Sequence, residues 1–223
     1  MKLSIIVPAY NEEKRIEEAL SKAIKFNPKN WTKEIIVVND GSTDKTIQKI
    51  KKFENKVKII DYKNNRGKGF AIRQGIKKTR GDFILIQDAD LEYDPIDLPI
   101  MLEKTGNSDA IYGSRFLGEI DGISIMHLFG NKFLSLATSV LYGQKITDME
   151  TGYKLIRSKV MKDLNLKSDN FDIEPEITVK LLKKGIPICE VPIHYVARKK
   201  EEKKISVKDG IKAFTFLLNN KFN

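Results

Sequence analysis

The chain predicts an α/β fold built on a mostly parallel sheet with helices on both faces, and three observations carry that prediction. Short apolar runs of strand length recur at Leu3–Val7, Glu34–Val38, Val57–Ile60 and Phe83–Gln87. Stretches with apolar residues at helical spacing separate them, as in Ile16, Leu20 and Ile24 with Ala19 and Ala23. Polar clusters follow the strands, Pro8–Glu12 after the first, Asp40–Asp44 after the second and Asp88–Glu92 after the fourth. Strands alternating with helices at this spacing form a parallel sheet. Ligands of such sheets bind beyond the carboxyl ends of the strands, so the three clusters are expected to converge on one site.

Taken in order, the first strand leads to Asn11, placed to cap a helix whose first turn carries the favourable Glu12 and Glu13. The second strand leads to a helix with Ile47, Ile50 and Phe53 inward, and the third to the turn Asn64–Gly69, which opens a helix through Ile76. A helix follows Pro95, then a short strand at Asp109–Tyr112. The second half changes character. His127–Tyr142 reads as a mostly apolar helix, Thr147–Lys154 as a polar loop before a short apolar segment, and Phe171–Glu176 as the entry to a helix ending at Gly185. Ile186–Tyr195 reads as a strand pair or an edge strand, because Pro187 and Pro192 forbid a central position. No linker composition or internal repeat divides the chain, so both halves are expected to share one sheet. Residues 1–206 are read as one domain and 207–223 as an amphipathic helix with Val207, Ile211, Phe214, Leu217 and Leu218 on one face. That helix either docks on the core or, with the basic stretch from Arg198 to Lys208, lies on an anionic membrane surface.

Composition bounds the function. A hydrophobic share of 41% with 31% charged residues is that of a soluble globular protein. The single cysteine, Cys189, allows no intrachain disulfide and points to a reducing compartment. The N-terminus lacks a signal-peptide layout, and no run approaches the roughly 20 apolar residues of a membrane helix. The expectation is a cytoplasmic protein, at most peripheral at the cytoplasmic face of a membrane. The net charge of +10 suits nucleic acid, an anionic membrane or phosphorylated small molecules, and equally a lysine-rich background. Aromatic residues do not interleave with the basic ones, which argues against nucleic acid.

The chemistry centres on Asp88-Ala89-Asp90. In an extended segment residues i and i+2 point to the same side, so the two carboxylates face one site. Strand-end and cap acids are a sufficient explanation of that spacing by itself. Hard oxygens at the end of a buried strand also suit Mg²⁺ or Mn²⁺, which takes one or two carboxylates and completes its shell with phosphates and water. The converging clusters favour the metal. Arg66, Lys68, Arg115 and Arg198 supply cations for phosphate, and acids with cations together describe a nucleotide-diphosphate site. No P-loop and no Gly-x-Gly-x-x-Gly is present. His127 and His194 lie far apart with no paired Ser or Cys motif, which argues against a hydrolase triad and favours a structural role for His194 in a strand.

Pro8-Ala9-Tyr10-Asn11-Glu12, Asp40-Gly41-Ser42-Thr43-Asp44, Asp88-Ala89-Asp90 and Gly113-Ser114-Arg115-Phe116 occur in the order found in family-2 nucleotide-sugar glycosyltransferases. From Leu3 to about Gly210 the chain resembles the branch of dolichol-phosphate mannosyltransferase and related polyprenyl-phosphate glycosyltransferases. The resemblance implies the GT-A fold and inverting, metal-dependent transfer of a hexose from a GDP- or UDP-sugar to a dolichyl or undecaprenyl phosphate. It implies that Pro8, Tyr10 and Glu12 line the nucleotide pocket, with Lys68, Asp88 and Ala89 also on the nucleotide-sugar, and that Asp40 accepts a hydrogen bond from the base. Asp88 and Asp90 would hold the metal with Glu92 near it, and Arg115 would meet the acceptor phosphate. Asp148 and Arg198 join Asp90 and Arg115 as candidate catalytic residues, while Glu174 and Glu176 match further family positions. A phosphate acceptor is already ionised and requires no general base; a hydroxyl acceptor requires one, with Asp148 or Glu150 as candidates. Relatives carry a glycine in the basic loop after the last strand, where Arg198–Lys204 has none, and many append membrane helices. The alternatives are the same donor chemistry with a soluble or saccharide hydroxyl acceptor, and a non-catalytic nucleotide- or nucleic-acid-binding module.

Overall fold

Seven strands form one sheet in the order β3-β2-β1-β4-β6-β5-β7. The computed structural model describes residues 1–198 and 207–222, with side chains up to Arg198 and from Gly210 to Lys221. The strands are β1 (Lys2–Ala9), β2 (Thr32–Asp40), β3 (Lys58–Tyr62), β4 (Phe83–Ile86), β5 (Ala110–Asp121), β6 (Lys154–Arg157) and β7 (Ile188–Val196). The helices are α1 (Ile16–Lys25), α2 (Thr46–Lys51), α3 (Lys68–Ile76), α4 (Leu98–Glu103), α5 (Ile125–Tyr142), α6 (Ser158–Asp163), α7 (Ile173–Lys183) and α8 (Val207–Phe222).

The central strands are apolar throughout because both faces are covered. On one face Leu3, Ile5 and Val7 of β1 pack with Ile16 and Leu20 of α1, Ile50 of α2, and Leu98 and Met101 of α4. On the other, Ile6 of β1 and Ile84 and Ile86 of β4 meet Ile72 of α3 and Ile173 and Ile177 of α7. Each such side chain contributes about 1.5–3 kcal/mol by leaving water.

Strand β6 departs from the expected alternation. The short apolar segment after the polar loop is a strand wedged antiparallel between β4 and β5. Its sequence neighbours pair with strands whose own partners lie far along the chain, which no local pattern reveals. Strand β5 is also longer than Asp109–Tyr112, continuing to Asp121 with an irregularity between Ser114 and Glu119. Strand β7 lies at the sheet edge, as its prolines require. Asn11 does not cap α1, which starts at Ile16 without a side-chain cap. With a left-handed φ of 51°, Asn11 instead accepts from the Thr43 N–H at 2.8 Å and ties the first two strand-end loops together.

Helix α8 docks on the core through Ala213 and Leu217, with Tyr142 of α5 donating to the Leu217 carbonyl at 2.9 Å. The basic stretch at residues 199–206, with its missing glycine, and the side chain of Val207 lie outside the described residues. Among the described residues no helix is long and apolar enough to cross a membrane.

Candidate active site

Every strand except β6 runs in the same direction, so the carboxyl ends of β1, β2, β4, β5 and β7 share one edge. A cavity of about 800 Å³ opens there, a size suited to a nucleotide-sugar. Pro8, Tyr10, Glu12, Asp40, Lys68, Asp88, Asp90, Glu92, Arg115, Glu150, Glu174 and Arg198 all line it. Ala89 is buried in the core behind that wall, and Asp148 sits fully enclosed beneath Arg115. Glu176 lies away from the cavity, accepting from the N–H groups of Lys167 and Ser168 at 2.8 Å each.

The strand-end acids are held by local turns. After β4 the chain reverses at Leu91, whose φ of 65° is a strained conformation for a branched side chain, costing roughly 1–2 kcal/mol. The reversal lets Asp90 Oδ1 accept from the Glu92 N–H at 3.1 Å and folds both acids toward the cavity. Gly152 passes so close to Asp88 that a Cβ there would lie 2.5 Å from Oδ2. Asp40 accepts from the N–H groups of Arg66 at 3.0 Å and Gly67 at 2.7 Å and from Asn65 Nδ2, which shapes the start of α3 and presents Lys68.

Four cations hold the acids in place. Arg198 spans three of them, reaching Glu12 at 3.2 Å, Asp90 at 3.0 Å and Glu92 at 3.2 Å. Lys68 bridges Asp88 at 2.8 Å and Glu174 at 3.0 Å, and the fully buried Lys154 holds the other Glu174 oxygen at 2.6 Å. Arg115 is paired by Nε and Nη2 with Asp148, both at 2.7 Å, and stacks 5.2 Å from the Tyr195 ring. Among the described residues the cavity wall carries seven carboxylates, Glu12, Asp40, Asp88, Asp90, Glu92, Glu150 and Glu174, against Lys68, Arg115 and Arg198.

Burial, with that imbalance behind it, raises carboxyl pKa values. Burial pushes Asp90 up to about 7, reinforced by the Asp88 and Glu92 charges and opposed by Arg198. Burial raises Asp88 too, with Lys68 opposing and Glu174 assisting. Glu150 is pushed up to about 7, by burial first. Glu174 alone goes down, because Lys154 and Lys68 together overcome its burial.

Asp88 and Asp90 offer hard oxygens and excess negative charge, which fits Mg²⁺ or Mn²⁺. Glu92 is turned to Arg198 and to the Tyr195 hydroxyl at 2.8 Å. Among the described residues no group of three or more candidate ligands is assembled.

Several wall residues carry no local sequence signal. Tyr93 stacks on Tyr153 at 5.3 Å and accepts from the Gly152 N–H at 2.9 Å, fixing the loop behind Asp88. Glu190 of β7 accepts from the N–H groups of Thr147 and Asp148 and so orients the Arg115 partner. Met126, Phe133 and Leu134 of α5 and Ile211 and Phe214 of α8 form an apolar side of the cavity.

Comparison with known proteins agrees with this geometry. The chain is 31% identical over 220 residues to dolichol-phosphate mannosyltransferase of Pyrococcus furiosus, covering 93% of this chain and 60% of that enzyme. It is 32% identical to a dolichyl-phosphate beta-glucosyltransferase of Drosophila melanogaster, covering 87% and 67%. Glucosyl-3-phosphoglycerate synthase of Mycobacterium tuberculosis, solved with Mn²⁺, UDP and glucosyl-3-phosphoglycerate, superposes over 99% of this chain and 80% of its own at a TM-score of 0.76 and 17% identity. That likeness identifies the architecture as the GT-A fold. With residues 4–164 matching the family described as Glycosyl transferase family 2, the chain belongs to that family and is a glycosyltransferase.

Proposed function

We propose that this glycosyltransferase moves a hexose, with inversion and with Mg²⁺ or Mn²⁺, from a GDP- or UDP-sugar to a polyprenyl phosphate such as dolichyl or undecaprenyl phosphate. In this reading residues 1–206 are the catalytic domain and α8 borders the acceptor entrance. The protein works peripherally at the cytoplasmic face of a membrane.

The observation that carries the acceptor is the reversed amphipathicity of α5. Its inward positions include Ser135 and Thr138, whose hydroxyls satisfy themselves on the carbonyls of Asn131 and Leu134. Its outward positions are Ile125, Met126, Phe129, Phe133, Leu136 and Val140, all more than half exposed. A helix in water shows the opposite pattern, and a contiguous apolar face of this kind marks a contact surface. Ile211 of α8 extends the face, and Met126, Phe133 and Ile211 also line the cavity. The apolar surface thus runs from the outside to the site, and Lys132 and Lys212 stand exposed along it to meet anionic headgroups. The relatives' names point to the same acceptor class.

The diphosphate reading rests on charge. A nucleotide diphosphate brings further negative charge to a wall where carboxylates outnumber cations, so its binding calls for a divalent ion on Asp88 and Asp90. Bound there, the ion supplies Lewis-acid neutralisation of the departing diphosphate. Tyr10, Pro8 and Asp40 border the nucleotide end, and Arg115 the acceptor end. The acceptor phosphate, dianionic above its second pKa of about 6, forms its bond to the anomeric carbon as the bond to the diphosphate breaks. No proton has to move.

Two measurements test this. Melting temperature is recorded with UDP, GDP, dTDP and ADP, each with and without Mn²⁺. A nucleotide at about 100 times its Kd adds roughly 2.7 kcal/mol, which raises Tm by roughly 5–10 °C. The rise should require Mn²⁺ and disappear in Asp90→Ala; no rise with any nucleotide overturns the assignment of this cavity to a nucleotide diphosphate with Mg²⁺ or Mn²⁺. Flotation with vesicles containing anionic lipid should bring the protein up with the lipid, and Phe129→Glu with Leu136→Glu should leave it at the bottom with Tm unchanged. Wild-type protein that stays with the soluble fraction sinks the lipid acceptor.

A further inference from the structure

Glu150 stands apart from the other acids of the cavity. Asp88, Asp90, Glu92, Glu174 and Glu12 each meet a lysine or arginine within 3.2 Å, and Asp40 is held by backbone N–H groups. Glu150 lines the same wall with its Oε1 closed off from solvent and no hydrogen-bond partner. Glu150 is half-buried as a residue, but an enclosed carboxylate oxygen left this way is costly, so the group either carries a proton or awaits a ligand.

Its neighbours do not supply the missing partner. Lys154 of β6 and Arg115 of β5 attract its charge, while Glu174 of α7 and Asp148 of its own loop repel it. Lys154 is already taken by Glu174 and by the carbonyls of Met149 and Thr151. Arg115 is taken by Asp148 through Nε and Nη2. From α5, His127 borders the same cavity. Burial outweighs these charges and pushes the carboxyl up to about 7.

Glu150 and Arg115 line the same cavity, and the Arg115 charge acts on Glu150. In the polyprenyl-phosphate reading Arg115 meets the acceptor phosphate, which would then present a further oxygen to Glu150. An ionised Glu150 would repel a dianion there, whereas a protonated one is a donor. We propose that Glu150 is the acceptor-positioning residue, its carboxyl O–H donating a hydrogen bond to an oxygen of the acceptor phosphate and keeping its proton throughout transfer. The inference rests on the polyprenyl-phosphate reading. In the reaction one phosphate oxygen forms the bond to the anomeric carbon, and the electron pair of the broken bond leaves on the nucleotide diphosphate. Asp148, the other candidate base, has both oxygens on Arg115 and acts by fixing that guanidinium.

The test is calorimetric titration with citronellyl phosphate, a water-soluble ten-carbon isoprenoid monophosphate, between pH 6.5 and 8.5. If only protonated Glu150 binds, Kd for the wild type rises roughly 20-fold across that range. Glu150→Gln keeps the shape and a permanent N–H donor, so it should retain the low-pH affinity and remove most of the rise. The slope left in that variant is the background of the other titrating groups, the phosphate's own second ionisation at about 6 among them, and it is subtracted from the wild-type profile. Glu150→Ala should bind more weakly at every pH. A rise that Glu150→Gln leaves unaltered overturns this inference alone, as does a flat wild-type profile, which also decides the matter should the variant not fold. Failure of both proteins to bind citronellyl phosphate at any pH overturns the acceptor reading along with it. Turnover onto a hydroxyl acceptor that Glu150→Gln cuts by 100-fold or more overturns it too, and makes Glu150 a general base.

Discussion

Gly152 shows how narrow the tolerances around the acids are. A methyl group there would press on Asp88 Oδ2 at 2.5 Å and on the Tyr93 ring at 3.3 Å, while the surrounding loop is pinned by Tyr93 and Thr151. The carboxylate, not the backbone, has to give. Gly152→Ala is expected to cut kcat/KM and Mn²⁺ affinity roughly 10–100-fold while shifting Tm by only a few degrees, which metal titration and thermal unfolding check separately. Single residues of this kind were partly legible. Asp88, Asp90, Asp40 and Arg115 announce themselves because strand-end acids and paired cations follow apolar runs in the sequence. Tyr93, Glu190 and the free oxygen of Glu150 do not, since each acquires its part from a neighbour 40 or more residues away or from burial alone.

Among the elements, α7 depends on one acid near its start. Glu176 is almost fully buried and accepts from Lys167 N and Ser168 N, with Lys180 on the same carboxyl at 2.7 Å. It thereby ties the loop before α7, whose backbone also lies against Gly67 and Gly69 at the start of α3. Burial opposes its ionisation, but Lys180 and the two N–H groups prevail and hold its pKa below the ordinary carboxylate value. A depressed folded-state pKa gives stability that is present above the unfolded value and lost as pH falls through the folded one. Glu176→Ala is expected to cost about 2–4 kcal/mol at neutral pH, and denaturant unfolding should show the gap closing as acidification passes below the ordinary carboxylate range. Helices and strands were legible wherever their pattern was local. The apolar period gives α1, and the prolines of β7 place it at the edge. The pattern fails at β6, where four residues become a strand only between two distant partners, and at Asn11, whose side chain serves a neighbouring loop instead of a helix.

For the whole molecule, the sequence carries the direction of the sheet and hence the edge where the polar clusters meet. What it hides is which surface of the second half faces water. Residues 127–142 read simply as apolar, and only the packing of Ser135 and Thr138 inward reveals that the phenylalanines point out. The flotation experiment belongs to this scale, because the apolar face is made by α5 and α8 jointly.

The insertion of β6 between β4 and β5 also governs the order in which the protein is made. Both partners of β5 lie later in the chain, at residues 154–157 and 188–196, so β5 leaves the ribosome with no strand to join. Strand β4 pairs early with β1 but keeps its other side open until residue 154 arrives. Long-range pairing of this kind is slow, and an open strand edge is exposed to misassembly meanwhile. The first four parallel strands form one early sheet, and Arg198 reaches Glu12, Asp90 and Glu92 only when the last strand closes. During synthesis Asp88 has Lys68 from the start, but Glu12, Asp90 and Glu92 wait for Arg198, so the end of the final strand delivers both the sheet's completion and the charge that settles those three acids.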